Sequence, residues 1–213
     1  MRGVPITDPS KDQTETGADT LRAASFLEAY RRVNPPSMKL RIAIDMDEVL
    51  ADTLAKELTL YNRDHGTNVS KEDLAGFSLY EKVREDHRET VQGYPNTKDF
   101  FRDIPVMAGS REVLPELVKR HEVFITTAAM DHPTSFTAKY EWLKEHFPYL
   151  PDSHIVFCGD KGILAADFLI DDNAYNFRRF IGKGLLYSAP HNALKTGFER
   201  VDSWAQIAGR FLA

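Results

Sequence analysis

The sequence predicts an α/β fold: a three-layer, doubly wound (Rossmann-like) parallel sheet with a small helical cap inserted after the first strand. From residue 40 onward, short apolar segments typical of buried strands alternate with segments of helical period. The interval between the first two strand candidates holds several helical pieces, more than a single crossover needs. Polar clusters follow several of the strand candidates, where the ligand sites of doubly wound sheets lie.

Residues 1–37 are predicted to form an N-terminal extension that is partly disordered. The first 18 or so residues are polar and lack aromatic side chains, so they offer too little apolar area to offset the entropy of ordering them. Residues 20–33 have the pattern of a short amphipathic helix that Pro35 and Pro36 stop. We expect this extension to be dispensable for catalysis.

The predicted core comprises residues 38–52 and 106–213. Its strand candidates are short and apolar, and they cover residues 40–45, 122–126, 154–158, 167–170 and 184–187. Its helix candidates show apolar residues at helical spacing, and they cover residues 49–65, 110–120, 134–147, 173–180 and 204–211. Right-handed crossovers place such helices on both faces of one parallel sheet. The remaining stretch, residues 53–105, is predicted to be the helical cap.

Composition narrows the classes of function. The chain has 213 residues, of which 42% are hydrophobic, and no apolar run long enough to span a bilayer. Its net charge of −5 provides no basic field for nucleic acid polymers or anionic lipid. The single cysteine, Cys158, cannot form an internal disulfide, and the first residues lack a signal-peptide pattern. We therefore expect a cytoplasmic protein without a membrane partner.

Two carboxylates, Asp45 and Asp47, follow directly on the first strand candidate. Residues two apart share a face of a strand, so one carboxylate can attack a substrate while the other moves a proton. An isolated pair of this kind is more often a solvated acidic loop. Here Thr126-Thr127, Gly159-Asp160-Lys161 and Asp171-Asp172 follow other strand candidates and would fall at the same edge of the sheet.

Taken in order, these motifs resemble the haloacid dehalogenase superfamily of phosphatases, and most closely its 5′(3′)-deoxyribonucleotidases. The resemblance covers residues 40 to about 190 and is carried by residues 45–52, 100–109, 123–127, 160–161 and 169–172. The D-x-D pair alone is a weak signal, whereas the ordered set of D-M-D-x-V-L-A-D, Thr, Lys and paired Asp is specific. The resemblance implies an Mg²⁺-dependent phosphomonoesterase that forms an aspartyl-phosphate intermediate. It also implies a small phosphorylated substrate, a nucleoside monophosphate, and suggests a homodimer.

The resemblance assigns catalytic roles to the acidic pair. Asp45 is the nucleophile, and Asp47 is the general acid and base, a residue that the dehalogenases of the superfamily lack. The Mg²⁺ ligands are the Asp45 carboxylate, the backbone carbonyl of Asp47 and Asp172, with Asp171 as the alternative to Asp172. Lys161 supplies the fixed positive charge that attack on a dianion requires.

The resemblance also assigns substrate contacts. Thr127, rather than its neighbour Thr126, and Lys139 are expected to bind the phosphoryl group, and Phe77 is expected to contact the nucleobase. The alternatives are that Lys139 is a solvated helix lysine and that Phe77 packs in the core of the cap. The deoxyribonucleotidases line the base pocket with further aromatics, but here Thr53 and Ser78 stand where a Phe and a Trp are expected. Each lost stacking contact is worth roughly 1–3 kcal/mol, which weakens the prediction of nucleotide specificity.

Other functions fit parts of the pattern. A phosphatase for another small ester, of the sugar phosphate or phosphoglycolate type, needs the same catalytic residues. A receiver domain also combines acids, Thr and Lys on a doubly wound sheet, but its phosphoacceptor follows a later strand and it has no cap. A non-catalytic phospho-ligand binding protein would not need the intact Asp45, Asp47, Lys161 and Asp172.

Overall fold

The structure is a computed structural model that describes residues 39–97 and 99–213. The expectations for residues 1–37 lie outside the described residues. Six strands form one parallel sheet in the order β3-β2-β1-β4-β5-β6. They are β1 (Arg41–Asp45), β2 (Glu122–Thr127), β3 (Ile155–Phe157), β4 (Phe168–Asp171), β5 (Lys183–Tyr187) and β6 (Arg200–Val201). This architecture confirms the predicted three-layer α/β fold.

The α-helices that the described residues form are α1 (Thr53–His65), α2 (Leu79–Lys82), α3 (Arg88–Gly93), α4 (Ser110–Arg120), α5 (Ser135–His146) and α6 (Trp204–Phe211). Short 3-10 turns connect them with the strands, at Glu72–Leu74, Glu85–His87, Tyr94–Asn96, Phe100–Arg102, Ala129–Asp131, Asp152–His154, Lys161–Ile163, Ala174–Phe177 and Pro190–Asn192. None of the helices in this part of the chain is long and apolar enough to cross a membrane.

Strand β1 lies at the centre of the sheet because its side chains suit burial on both faces. Ile42, Ala43 and Ile44 are buried, as expected for a strand covered on each side by helices or turns. Ile44 lies opposite Ile125 of β2 and Ile170 of β4. This central position directs the end of β1, at Asp45, toward the middle of the carboxyl edge.

Two sequence predictions differ from the structure, and one strand has no counterpart among the predictions. The helix predicted for residues 49–65 begins only at Thr53, because residues 46–51 form a tight turn and the Asp52 side chain accepts a hydrogen bond from the Ala55 N–H. The helix predicted for residues 173–180 is the 3-10 turn Ala174–Phe177, since the Asn173 side chain binds the Tyr175 N–H locally. Strand β6, which is only two residues long, was not predicted.

The segment between β1 and β2 contains several short helices. Backbone hydrogen bonds join residues at its beginning to residues near its end. The Asp52 N–H donates to the Pro105 carbonyl at 2.8 Å, and the Met107 N–H donates to the Leu50 carbonyl at 2.7 Å. The indole N–H of Trp142 on α5 also donates to the Ile104 carbonyl at 2.8 Å. The first two bonds join the beginning and the end of the segment between β1 and β2, and the division of this segment from the core as a cap stays a prediction.

Candidate active site

The predicted polar residues meet at the carboxyl edge of the sheet. Asp45 ends β1, Thr127 ends β2 and Asp171 ends β4, while Lys161 lies in the connection after β3. Parallel strands present their carboxyl ends to the same side of a sheet, so topology alone brings these distant residues together. These four residues are all buried.

A tight turn after β1 separates Asp47 from Asp45. The N–H groups of Leu50 and Ala51 both donate to the Met46 carbonyl, at 2.9 Å and 2.8 Å. Glu48 adopts a φ of 57° in this turn, and its carboxylate accepts a hydrogen bond from the Leu54 N–H at 2.6 Å. Glu48 therefore holds the first turn of α1, while burial raises its pKa to about 7.

Lys161 is buried between two carboxylates. Its Nζ lies 2.6 Å from Asp45 Oδ1 and 2.6 Å from Asp171 Oδ2. Burial disfavours the ammonium, but the two neighbouring carboxylates outweigh it and raise the pKa of Lys161. Burial raises the pKa of Asp45 to about 7 despite the attraction of Lys161, and the charges of Asp171 and Asp47 add to the increase.

Asp171 and Asp172 have different surroundings. The oxygens of Asp171 accept hydrogen bonds from the Asn173 N–H at 2.8 Å, the Asn176 amide at 2.9 Å and 3.0 Å, and Lys161 at 2.6 Å. A carboxylate has about four lone-pair sites, so these bonds occupy Asp171 fully. For Asp172, the one side-chain partner among the described residues is the His191 Nε2, at 3.4 Å from Oδ2. Of the two, Asp172 has the carboxylate with room for a further ligand.

The acidic cluster has the composition of a site for a hard divalent cation. Asp45, Asp171 and Asp172 each offer a carboxylate oxygen within 4.8 Å of the others. Mg²⁺ is bound by oxygen ligands and keeps several waters, so a few carboxylates suffice. Burial, together with the charges of Asp45 and Asp171, raises the pKa of Asp172 well above its ordinary value. A bound cation would relieve this repulsion, so the residues present fit the predicted metal.

Asp47 lies in a second cluster of charge. Lys139 on α5 places its Nζ 2.5 Å from Asp47 Oδ2 and 2.8 Å from the Thr127 hydroxyl. The Thr53 hydroxyl donates to Asp47 Oδ1 at 3.2 Å. Burial opposes ionisation of Asp47, but Lys139, through its charge and its hydrogen bond, and Thr53 together lower the pKa below its ordinary value. The two acids of the pair are thus held by different lysines.

The two threonines that end β2 point in different directions. The Thr126 hydroxyl donates to the Ile44 carbonyl at 3.4 Å, within the sheet. The Thr127 hydroxyl lies 3.4 Å from Asp47 Oδ2 and accepts from Lys139. The Thr127 hydroxyl therefore faces the Asp47 cluster, whereas that of Thr126 does not, and the role of Thr127 in binding a phosphoryl group stays a prediction.

Phe77 lies apart from these clusters. It precedes α2, is 43% exposed, and has the Lys82 ammonium 4.9 Å from its ring centroid. The structure joins Asp45, Asp47, Thr127, Lys139, Lys161 and Asp172 into one site, but no contact of the described residues links Phe77 to them.

Several residues of the site were not assigned a role from the sequence. The Thr53 hydroxyl contacts Asp47, the Asn176 amide contacts both oxygens of Asp171, and the Phe101 ring lies 4.4 Å from the Lys139 ammonium. Phe101 belongs to the motif at residues 100–109, and its place in that motif could have indicated that its ring lies near the residues predicted to bind phosphate. The resemblance placed Thr53 in the base pocket but did not indicate its contact with Asp47, and Asn176 carried no signal, because both contacts depend on how tightly the neighbouring turns close.

The chain is similar in sequence to known nucleotidases. A family model described as "5′ nucleotidase, deoxy (Pyrimidine), cytosolic type C protein" matches residues 39–212. The chain is 44% identical over 171 residues to a Staphylococcus epidermidis protein named "Putative 5′(3′)-deoxyribonucleotidase", with 80% of this chain and 95% of the relative covered. It is 38% identical over 184 residues to the 5′(3′)-deoxyribonucleotidase of Bacillus subtilis, with 82% of this chain and 100% of the relative covered.

A solved structure is similar in fold. The "putative HAD-hydrolase YfnB" from Bacillus subtilis, whose crystal structure is described as bound to magnesium, superposes with a TM-score of 0.54. The match covers 83% of this chain and 100% of that chain at 11% identity. A similarity at this level of identity supports the doubly wound fold.

Proposed function

This chain belongs to the family of the 5′ nucleotidase, deoxy (Pyrimidine), cytosolic type C proteins, and from that premise we propose that it dephosphorylates nucleoside monophosphates as an Mg²⁺-dependent 5′(3′)-deoxyribonucleotidase. Membership makes the chain a hydrolase of phosphomonoesters, so the proposal concerns its substrate, metal and mechanism. The observation that supports it most is the separation of the acidic pair, with Asp45 held by Lys161 and Asp47 held by Lys139.

Asp45 is the proposed nucleophile because one of its oxygens is held and the other is available. Among the described residues, its hydrogen bond and its ion pair both use Oδ1, with the Met46 N–H at 2.8 Å and Lys161 Nζ at 2.6 Å. These contacts fix the carboxylate and leave Oδ2 to attack the phosphorus. Attack forms a bond between Oδ2 and phosphorus while the bond from phosphorus to the ester oxygen breaks.

Asp47 is the proposed proton carrier for both halves of the reaction. It gives a proton to the departing ester oxygen, so the alcohol leaves neutral. A water then attacks the acyl phosphate and gives its proton to Asp47, the bond between phosphorus and Asp45 breaks, and inorganic phosphate leaves. A phosphoryl group that binds Thr127 and Lys139 competes with Asp47 for the same ammonium, which raises the pKa of Asp47 and lets it carry a proton.

Positive charge must offset the repulsion between a carboxylate and a phosphate dianion. Lys161, which pairs with Asp45, and Lys139, which pairs with Asp47, supply fixed positive charge. Mg²⁺, held by Asp45, Asp172 and the backbone carbonyl of Asp47, would supply the remaining neutralisation. Asp171 is occupied by Asn173, Asn176 and Lys161, and we propose that it orients Lys161 rather than binding the cation.

Three residues of the segment between β1 and β2 bear on substrate choice, namely Thr53, Phe77 and Ser78. Phe77 is exposed and offers one ring for stacking on a nucleobase. The Thr53 hydroxyl donates a hydrogen bond to Asp47, and Ser78 forms a capping box with Glu81 at the start of α2. Neither side chain offers a ring on which a nucleobase could stack. This polar pair favours a second candidate, a phosphatase for a sugar phosphate or a similar small ester.

A panel of substrates separates the two candidates. Hydrolysis of dUMP, dTMP, the matching ribonucleotides, ribose 5-phosphate and phosphoglycolate is measured with Mg²⁺ and with a chelator. The proposal predicts the highest kcat/KM for a deoxynucleoside monophosphate and loss of activity with the chelator. A preference for ribose 5-phosphate or phosphoglycolate would instead support the second candidate. Phe77→Ala should lower kcat/KM for nucleotides and leave that for the smaller esters unchanged.

We predict that stabilisation by Mg²⁺ increases with pH. In the metal-free protein, Asp45 and Asp172 have pKa values above their ordinary value of 3.8, with that of Asp45 at about 7. Their contribution to stability is therefore fully present below the unfolded pKa and is lost as pH rises through the folded pKa. Mg²⁺ binds the ionised carboxylates, so it restores more stability where protons have already left.

Thermal unfolding with excess MgCl₂ and with EDTA, measured from about pH 6 to about pH 8, tests this dependence. The difference in Tm between the two conditions should increase across the range in the wild type and should be small throughout in Asp172→Asn. A difference that does not change with pH would contradict the assignment of these carboxylates to the cation.

We propose a reducing, cytoplasmic location, which the single and buried Cys158 supports. A homodimer stays a prediction of the family resemblance, and sedimentation equilibrium tests it directly.

A further inference from the structure

A buried asparagine in the turn after β5 contacts the backbone of Asp172. Asn192 is fully buried, and its Nδ2 donates to the Asp172 carbonyl at 2.8 Å and to the Tyr187 carbonyl at 2.8 Å. Its Oδ1 accepts from the Ala189 N–H at 3.2 Å and from the Arg200 guanidinium at 2.9 Å. All four hydrogen-bonding positions of the amide are therefore used.

The surroundings of Asn192 allow one orientation of its amide. Two carbonyls face the nitrogen, while an N–H and a guanidinium face the oxygen, so a flipped amide would lose every bond. Arg200, on β6, also donates to the backbone carbonyls of Asn192 at 2.6 Å and of Lys195 at 2.7 Å. Arg200 thus fixes the Asn192 side chain to the edge strand β6, and the Asn192 amide in turn holds the backbone carbonyl of Asp172.

The two neighbouring acids are held in opposite ways. Asp171 is held through its carboxylate, whose oxygens are occupied by Asn173, Asn176 and Lys161. Asp172 is held through its backbone carbonyl, which accepts from Asn192 and, at 3.3 Å, from His191. Bonds to the backbone carbonyl fix the peptide group of Asp172 without occupying its carboxylate, whose one side-chain partner among the described residues is His191 Nε2 at 3.4 Å from Oδ2.

We infer that Asn192 is a positioning residue for the cation site: it fixes the peptide group of Asp172 so that the carboxylate is presented to the site of Asp45. The inference rests on the proposed function, in which Asp172 is a ligand of Mg²⁺. It gives Asn192 no contact with substrate or metal. Its effect on the reaction passes through the affinity for the cation.

Two variants of Asn192 test this role. Asn192→Ala removes the amide. Asn192→Asp keeps the shape and the acceptors for Ala189 and Arg200, but it places an oxygen against the carbonyls of Asp172 and Tyr187. A positioning role predicts that both variants need about 10- to 100-fold more Mg²⁺ for half-maximal thermal stabilisation, the usual cost of losing a partner that orients a metal ligand. Excess Mg²⁺ should restore kcat toward the wild-type value in both.

The negative charge of Asn192→Asp sharpens the test. A charge added near a cation site strengthens Mg²⁺ binding if electrostatics alone matter, whereas loss of positioning weakens it. Unchanged or tighter Mg²⁺ binding in this variant would overturn the inference. Failure of both variants to fold would also contradict it, since Asn192 would then serve the fold as a whole.

Asn62 provides a matched control. On α1 its Nδ2 donates to the Val69 carbonyl at 2.9 Å, and its Oδ1 accepts from the Val69 N–H at 2.8 Å, so it joins backbone groups as Asn192 does. Asn62→Ala should lower the Tm and leave the Mg²⁺ requirement unchanged. A wild type that neither binds Mg²⁺ nor hydrolyses phosphate esters would defeat the proposed function. A wild type that does both, with Asn192 variants of equal Mg²⁺ affinity, would defeat this inference alone.

Discussion

Replacing Asp45 with Asn is expected to abolish turnover of p-nitrophenyl phosphate and of nucleotides, by roughly 10⁴-fold or more. The amide cannot form an acyl phosphate, so the covalent route is closed. The fold should persist, because Asn keeps the shape of the side chain and Lys161 remains paired with Asp171 at 2.6 Å. Steady-state hydrolysis at saturating Mg²⁺ measures the loss.

Asp103→Asn is the control for this variant. Asp103 is a largely exposed carboxylate that pairs with Lys56 at 2.7 Å, so its loss changes charge equally without touching the site. It should retain wild-type activity. An Asp45→Asn protein that folds and still turns over at the wild-type rate would remove Asp45 from the role of nucleophile.

Replacing Asp47 with Asn is expected to separate the two halves of the reaction. Loss of the general acid should slow hydrolysis of a nucleoside monophosphate by about 10²–10⁴-fold, because its alkoxide needs a proton in order to leave. Formation of the acyl phosphate from p-nitrophenyl phosphate should suffer less, since nitrophenolate leaves without a proton. Hydrolysis of the acyl phosphate should be slow with both substrates.

Rapid-mixing kinetics with p-nitrophenyl phosphate reveal this imbalance. The variant should release a burst of nitrophenol equal to the enzyme concentration, followed by a slow steady state. Asp64→Asn, which changes a carboxylate on α1 that pairs with Arg63 and accepts a hydrogen bond from Tyr94, should behave as the wild type. Equal slowing for both substrates without a burst would contradict the proton-carrying role of Asp47.

Much of the fold could be predicted from the sequence because the core strands are short and apolar and are separated by helices whose apolar residues recur at helical spacing. The prediction of residues 110–120 matches α4, and the strands agree within two residues at each end. The apolar pattern did not predict the 3-10 turn after Asn173, where a local hydrogen bond from the Tyr175 N–H to the Asn173 side chain ends the regular helix. It also did not predict β6, because two residues are too few to show an alternating pattern. Such features depend on tertiary contacts more than on composition.

The site was predictable to the extent that topology determines it. The carboxyl ends of neighbouring parallel strands bring Asp45, Thr127 and Asp172 together whatever the details of the loops. Contacts that depend on those details could not be foreseen, as with the Thr53 hydroxyl on Asp47 and the Asn192 amide behind Asp172. The sequence registered Thr53 only as the absence of an aromatic, whereas the structure gives it a partner in the site.

The location of the phosphoryl group during turnover tests the proposed mechanism most directly. The Asp47→Asn protein is mixed with p-nitrophenyl phosphate and Mg²⁺, quenched in acid during the burst, digested and analysed by tandem mass spectrometry. We predict one phosphoryl group on Asp45, and none in a variant that also carries Asp45→Asn. A phosphoryl group on another residue, or turnover with no phosphorylated enzyme, would contradict the account.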